Sequence, residues 1–395
     1  MKILLTSDTY LPSINGVVTS VNTLYKELKK RGNDVRILTL SPNGKEYVNG
    51  DIYYIKSFNV KLYPGVKGSF SFNSKCFKKL LLWSPEVVHS HTEFITMHYA
   101  NKIGRLLKIP HVHTYHTMYE DYVEYICKKI RISKRTVGFL SKWAVRYVDR
   151  IIVPTKKVQN VLKSYGIKQP ISIIPTGIDL KKFNIEFNEY EKELLKKKLG
   201  ITKDEKVLLY LGRIGKEKNI EEIIKNFSMC TIGKKLIIVG DGPYINNLIK
   251  QVESFSLEDK VVFTGMVSPD EVVKFYKISH VFLTASITET QGLTYVEALA
   301  SGVPIICRKD EANEDLIKDN FNGFKYYNKE GFKSALSEVL NNNDSFKENA
   351  NKSVYNYSKN IYAEKVTAIY YSLTHYKDIY GFINNKKENL KNTCV

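Results

Sequence analysis

Two carboxylates, Glu289 and Glu297, stand with seven residues between them in TETQGLTYVEALASGVP (residues 288–304), on either side of a glycine that opens a helical pattern. From Leu293 onward, Leu293, Val296, Ala300 and Val303 share one stripe at helical spacing. Glu297 lies one turn from both Leu293 and Ala300, at the inner edge of that stripe. A carboxylate there loses water and needs a partner. Glu289 falls in the loop before the helix. Gly292 leaves the first-turn amides open to an anion, which the positive end of a helix favours. An ionised carboxylate accepts from two hydroxyls at once and so suits sugar diols. An anion cradle between two such carboxylates is the outline of a nucleotide-sugar site. The alternative is an ordinary amphipathic helix whose Glu297 reaches out to water.

Other chemistry-bearing residues follow strand-like runs. After MKILLTS comes a loop with Gly16 at the turn into a helix, where a missing side chain lets the backbone approach a phosphate or sugar. In GRIGKEKN, Arg213 and Lys218 offer a forked guanidinium and a point-charge ammonium, a pair able to clamp a diphosphate. VGDGP (Val239–Pro243) is a second glycine turn, either ligand-contacting or simply tight. Six of the eight histidines crowd the first half: His89, His91, His98, His111, His113 and His116. On a strand, His111 and His113 point the same way. No carboxylate or cysteine set completes a metal shell around them and there is no Asp-x-Asp pair, so no metal is expected. His116, just past its strand, is placed at the ligand edge.

In order along nearly the whole chain, these pieces resemble glycosyltransferase family 4, whose signature is Glu-x7-Glu. The match to Gly-Arg…Lys is residue for residue. The amino-terminal glycine loop departs from some members, which carry two adjacent glycines where Ile14-Asn15-Gly16 offers one. HTYHTMYEDYVEYI (residues 113–126) and ETQGLT (residues 289–294) look like the corresponding stretches of bacterial diacylglycerol glucosyltransferases. The resemblance implies a two-domain B-type fold and a retaining, metal-independent transfer of a hexose to the 3-hydroxyl of diacylglycerol, with UDP-glucose as donor. Within the family, the alternatives are a glycolipid or other acceptor, or another nucleotide sugar. Carried onto this chain, Glu289 binds the donor sugar and Glu297 the ribose diol, with Gln291 and Gly16 also in the donor-binding set. Arg213, Lys218 and the Gly292–Leu293 amides neutralise the leaving diphosphate. His116 orients the sugar and stabilises the transition state.

The elements that must position these groups are legible as alternation. Short β-branched runs (Lys2–Ser7, Asp34–Leu40, Glu86–Ser90, His111–Tyr115, Arg150–Pro154 and Ile171–Pro175, then Lys206–Gly212, Lys235–Gly240, Lys260–Thr264, Val281–Thr284 and Pro304–Cys307) alternate with helical segments such as Val17–Arg31, Lys156–Tyr165, Ile220–Phe227 and Leu293–Ser301. This spells two doubly wound α/β domains of Rossmann-like type, their ligand edges facing a central cleft. The expected division is 1–177, 178–356 after the IPTGID boundary, and 357–395 as a helical segment returning to the first domain with a mobile tail. The unit restarts at Lys206, after the charged stretch Glu186–Lys198.

At 395 residues, 43% apolar and 26% charged, the chain can bury two cores. No apolar run reaches the ~18 residues of a membrane span. MKILLTSD meets Asp8 too soon for a signal peptide. Five scattered cysteines without a Cys-x-x-Cys pair suit a reducing cytoplasm.

The net charge of +19 asks for an anionic partner. Cys127–Arg150 holds eight Lys or Arg against Asp149 alone, and Ser57–Pro85 holds no acid. Both runs carry bulky apolar groups: Tyr63, Phe70, Phe72 and Phe77, then Phe139, Leu140 and Trp143. Lys128, Lys129, Arg131, Lys134 and Arg135 with Trp143 fit an interfacial contact with an anionic bilayer, the alternative being a solvated basic face. The expected location is cytoplasmic, held peripherally at the inner face of the cell membrane. Two readings from other classes fare worse. A nicotinamide-dependent oxidoreductase lacks its Gly-x-Gly-x-x-Gly after the first strand. A nucleic-acid binder has only charge to support it, so nucleic acid is not an expected partner.

Overall fold

In the computed structural model, residues 1–60, 67–69, 74–118 and 133–392 are described, with side chains to residue 375. They form two compact units, one from the described residues of 1–177 together with 359–392, the other from 178–358.

The first unit is built on β1 (Lys2–Ser7), β2 (Asp34–Leu40), β3 (Tyr47–Asn49) and β4 (Ile52–Ile55), then, past a separate antiparallel pair β5 (Phe58–Asn59) and β6 (Lys67–Gly68), on β7 (Val87–Ser90), β8 (His111–Thr114), β9 (Arg150–Val153) and β10 (Ile171–Ile173). Their order is β10-β9-β8-β7-β1-β2-β4-β3, parallel throughout except for β3 on β4. The second unit carries β11 (Lys206–Leu211), β12 (Lys234–Val239), β13 (Val261–Gly265), β14 (Val281–Thr284), β15 (Ile305–Arg308) and β16 (Gly323–Tyr326), all parallel in the order β13-β12-β11-β14-β15-β16. Each sheet grows one way from its first strand and then the other. The reversals fall between β1 and β7 and between β11 and β14, where open α/β sheets bind ligands beyond the strands' carboxyl ends.

Near-continuous apolar strands are buried on both faces, so alternate residues serve different cores. Ile3 and Leu5 meet Val21 and Leu24 of the helix Gly16–Lys30. Leu4, between them, meets Phe77, Leu80, Tyr99 and Ile103. In the second unit Leu208 and Tyr210 pack on Ile220, Ile223 and Phe227, while Val207 and Leu209 pack on Tyr295, Val296 and Leu299. The last helix, Lys359–Asn392, puts Tyr362, Ala363, Val366 and Tyr370 into the first unit's core. There the Tyr362 hydroxyl bonds Ser20 at 3.0 Å.

The doubly wound architecture is the one the alternation predicts, with element ends displaced by one or two residues. The strand β16 and the pair β5–β6 were not among the expected strands, and further points go beyond or against the reading. The hairpin β3–β4 was not expected, although its Asn49-Gly50 turn, with Gly50 at φ 56°, is a hairpin signal. The charged stretch after Glu186 is a helix, Glu189–Lys198, with acids in its first turn and lysines in its last, which complements the helix dipole. Phe77, expected on a basic surface, is buried at 6% exposure against Tyr99. The helix Lys75–Trp83 turns Cys76, Phe77, Leu80 and Trp83 inward and leaves its lysines outside. Among the described residues no helix is long and apolar enough to cross a membrane.

Candidate active site

At the second unit's reversal point, β11 runs into Gly212-Arg213-Ile214-Gly215 and a short turn, Lys216–Lys218. The VGDGP turn after β12 lies against this loop. Ile214 N–H donates to Asp241 at 2.9 Å and Tyr244 N–H to Ile214 at 3.1 Å. A Cβ on Gly240 would sit 2.0 Å from the Gly212 carbonyl oxygen, and one on Gly242 2.3 Å from that of Ile214. Close backbone packing is therefore one reason for these glycines, and it fixes the loop that carries Arg213. The buried Tyr210 hydroxyl adds a bond to the Arg213 carbonyl at 3.0 Å.

Both cations of this edge are seated on carboxylates. Arg213 pairs with Glu217, whose side chain is buried over Gly215. Lys218 Nζ lies 2.6 Å from Glu289 Oε1. Glu289 belongs to the loop after β14, so this pair joins the loops on either side of the reversal point. Two cations against two carboxylates leave the edge locally neutral, and a diphosphate arriving there would compete for both cations.

The helix Leu293–Ala300 starts at Gly292, which adopts φ 72° and lends no side-chain cap to the first turn. Gln291 beside it is buried. Glu297 is half-buried, and Tyr276 from the helix Val272–Ile278 donates to its Oε2 at 3.0 Å. Burial pushes the Glu297 carboxyl above its usual range, opposed by the Tyr276 bond and by Lys182. The carboxylate thus has the partner its position demands. Leu293, Val296, Ala300 and Val303 lie in or against one core, as the stripe predicts.

The first unit's edge is of another kind. Gly16 opens its helix at an exposed position, and the Asn15 side chain caps it by accepting from Val18 N–H at 2.9 Å. The histidines divide by pleat. On one side Ser90 Oγ bonds His111 Nε2 at 2.8 Å and His113 Nδ1 at 2.9 Å, and Glu93 accepts from or pairs with His113 at 3.2 Å. On the other, His89 is held between Tyr370 at 2.6 Å and Thr114 at 2.7 Å, and His91 Nδ1 meets His116 Nε2 at 3.0 Å. His111 and His113 do share a face, as expected. Burial, then the neighbouring His113, pushes His116 down to about 3, so its ring is neutral near pH 7. Among the described residues no group of three or more His, Cys, Asp or Glu could hold a metal. Asp8, just past β1, caps the helix Ile95–Leu107 from outside by accepting from Thr96 N–H at 2.7 Å.

Lys134 and Arg135 open the helix Lys134–Ala144. It buries Val137, Gly138, Ser141 and Ala144 and exposes Phe139 (68%), Leu140 (54%) and Trp143 (56%) among its cations. Arg146 stacks on Trp143, 3.9 Å from the ring centroid. Lys128, Lys129 and Arg131, with Tyr63, Phe70 and Phe72, lie outside the described residues. Sequence reasoning missed the supporting partners. Glu217 could have been read as a residue one turn beyond Arg213. His91 stood among the clustered histidines without an assigned role, and Tyr276 and Tyr370 carry no local signal, since folding alone brings them to Glu297 and His89.

The profile described as Glycosyltransferase Family 4 matches residues 14–182, and that described as Glycosyl transferases group 1 matches 191–359. An alpha-monoglucosyldiacylglycerol synthase from Streptococcus pneumoniae is 38% identical over 345 residues, spanning 86% of this chain and 78% of its own. One from Acholeplasma laidlawii is 33% identical over 406 residues, 99% of this chain and 100% of that one. Among solved structures, Anabaena HepE in complex with UDP and glucose superposes at a TM-score of 0.76 with 16% identity, over 94% of this chain and 100% of that one. Sucrose-phosphate synthase from Thermosynechococcus elongatus gives 0.74 with 19% identity, over 94% and 98%. At such identities these two likenesses speak for the fold alone.

Proposed function

Because this chain belongs to glycosyltransferase family 4, we propose that it moves glucose from UDP-glucose, with retention, to the 3-hydroxyl of diacylglycerol at the inner face of the cell membrane. The observation that carries this reading is the Lys218–Glu289 pair, which joins the two loops of the reversal point beside the Gly292 turn. A diphosphate at that turn meets the helix's positive end and draws Lys218 and Arg213 to itself. Glu289 then gives up its cation and accepts from hydroxyls of the sugar. Glu297, oriented by Tyr276, receives the ribose diol.

Departure of the diphosphate concentrates negative charge beside Arg213, Lys218 and the Gly292–Leu293 amides, once the two cations have been drawn from their carboxylates. Fixed dipoles and charges of this kind often lower the barrier more than any other single effect. The neutral His116 ring orients the sugar as positive charge grows on its anomeric carbon. The acceptor attacks from the leaving group's own face, and the departing phosphate takes its proton. No metal enters the scheme. Diacylglycerol as acceptor is supported by the names of the two relatives. A membrane location is supported by the exposed aromatic and basic face of the helix Lys134–Ala144.

The test is a donor-by-acceptor screen in mixed micelles, read by mass spectrometry, with the anomer assigned by NMR. UDP-glucose and diacylglycerol should give an α-linked monoglucosyl lipid in the presence of a chelator. Activity abolished by chelation would remove the metal-free mechanism. Transfer only to a glycolipid, or only from another nucleotide sugar, would replace the substrate assignment and leave the family intact.

A further inference from the structure

His91 follows β7 directly and His116 follows the adjacent β8, and the pleat turns both to the same side of the sheet. Their rings lie within 20° of parallel with centroids 5.3 Å apart, and Nδ1 of His91 stands 3.0 Å from Nε2 of His116. A hydrogen bond between two imidazoles needs one N–H and one lone pair, so only two proton arrangements fit. If His116 donated from Nε2, the proton of His91 would sit on its own Nε2. That atom is buried and has no partner among the described residues, and a buried N–H without an acceptor is among the rarest features of folded proteins. If His91 donates from Nδ1, its Nε2 keeps only a lone pair. The proton of His116 must then be on Nδ1.

We propose that His91 is a positioning residue for the transfer reaction, donating from Nδ1 to Nε2 of His116 so that His116 is held in one orientation with its proton on Nδ1. His116 is thereby a hydrogen-bond donor through Nδ1, and its Nε2 is engaged and cannot serve as a base. The effect on catalysis rests on the reading of His116 given above, whereas the tautomer does not.

His91 is itself held from behind. Its ring lies on that of His89, centroids 4.2 Å apart, and His89 is pinned at both nitrogens by Tyr370 and Thr114. A ring fixed on one side and bonded on the other can set its neighbour's angle. This support reaches back to the last helix of the chain. Burial holds His89 and His91 well below the usual imidazole range, so the support consists of neutral rings.

Three substitutions in the full chain test this. Asparagine places an amide where Nδ1 of histidine lies, and glutamine places one where Nε2 lies. His91→Ala and His91→Gln should lower kcat by about a hundredfold, the scale of a small misplacement in an active site, with the donor KM within about twofold. His91→Asn should restore most of the turnover. Two-bond proton–nitrogen NMR should find the His116 proton on Nδ1 in the wild type and in His91→Asn, and distributed between both nitrogens in His91→Gln. In a His116→Ala background, His91→Ala should cost nothing further. A wild-type His116 protonated on Nε2, an unchanged kcat in His91→Gln, or additive losses in the double variant would each overturn the proposal. If His116→Ala alone left kcat intact, the catalytic reading of His116 would fall, and the NMR result would still decide the tautomer.

Discussion

The carboxyl edges of the two sheets occupy the same topological position and are furnished in opposite ways. In the second unit the edge carries Arg213, Glu217, Lys218 and Glu289 as ion pairs, with Glu297 on a phenol nearby. In the first it carries buried imidazoles bonded to one another and to hydroxyls, with a single carboxylate, Glu93, on His113. A nucleotide diphosphate brings charge and must find countercharges already aligned. A hydroxyl acceptor such as that of diacylglycerol brings none, and a permanent positive charge near the reacting carbon would oppose the positive charge the reaction creates. On the proposed function, each unit is dressed for its own substrate.

Acid should separate the two edges most strongly. His89, His91, His111 and His116 stay neutral in the fold through burial and are free to protonate once unfolded. The unfolded chain therefore binds more protons below the ordinary value, and stability falls as pH drops below about 6.5, by roughly 1.4 kcal/mol per pH unit for each such ring. The second unit has one described counterpart, His280, held at about 4, and Glu297 shifts the opposite way. Both tryptophans, Trp83 and Trp143, lie in the first unit. Their fluorescence should change at a higher pH than UDP binding is lost, and coincident transitions would erase the contrast.

His116→Ala should come next, lowering kcat about a thousandfold with UDP affinity near normal, because on the proposed function its contact matters as charge develops. A matching loss in UDP affinity would make it a binding residue. Lys134, Arg135 and Lys142 changed together to Ser should weaken sedimentation with anionic vesicles by about fivefold per charge removed and leave UDP binding unaltered. Equal binding of the wild type to neutral vesicles would leave that helix a solvated basic face.

The smallest expected effect sharpens the comparison most. Glu297→Gln should weaken UDP binding about tenfold, the scale of one lost hydrogen bond to a charged group. It should also raise thermal stability at pH 7 relative to pH 4. The sign follows from its raised carboxyl, which takes up its proton more readily in the fold than in the unfolded chain. Its burial therefore costs stability as pH rises past the ordinary carboxylate value. Unchanged UDP affinity with lower stability would make Glu297 structural.

The alternating apolar runs were legible because a parallel strand buried on both faces leaves a continuous signature, and Lys2–Ser7 and Val281–Thr284 match the expected bounds. The carboxylates and cations of the second unit were legible too, since each follows a strand end within a few residues. What escaped depends on the sheet bringing distant residues together. Tyr370 reaches His89 across 281 positions, and Tyr276 reaches Glu297 from another helix. Phe77 shows a subtler failure. Read by composition it joins a basic, aromatic surface, but Cys76, Phe77, Leu80 and Trp83 repeat at helical spacing, and that period decides which face is covered.

The return of the last helix fixes an order of events during synthesis. Tyr362, Ala363, Val366 and Tyr370 fill the core beneath β1, yet they are made after every residue of the second unit. A nascent chain can therefore complete its later-encoded sheet while the first-made one still lacks one wall of its core, contrary to the usual amino-to-carboxyl sequence of domain folding. Until the ribosome has delivered Tyr370, His89 has no hydroxyl at Nδ1, and apolar surface stays open to whatever binds unfinished chains.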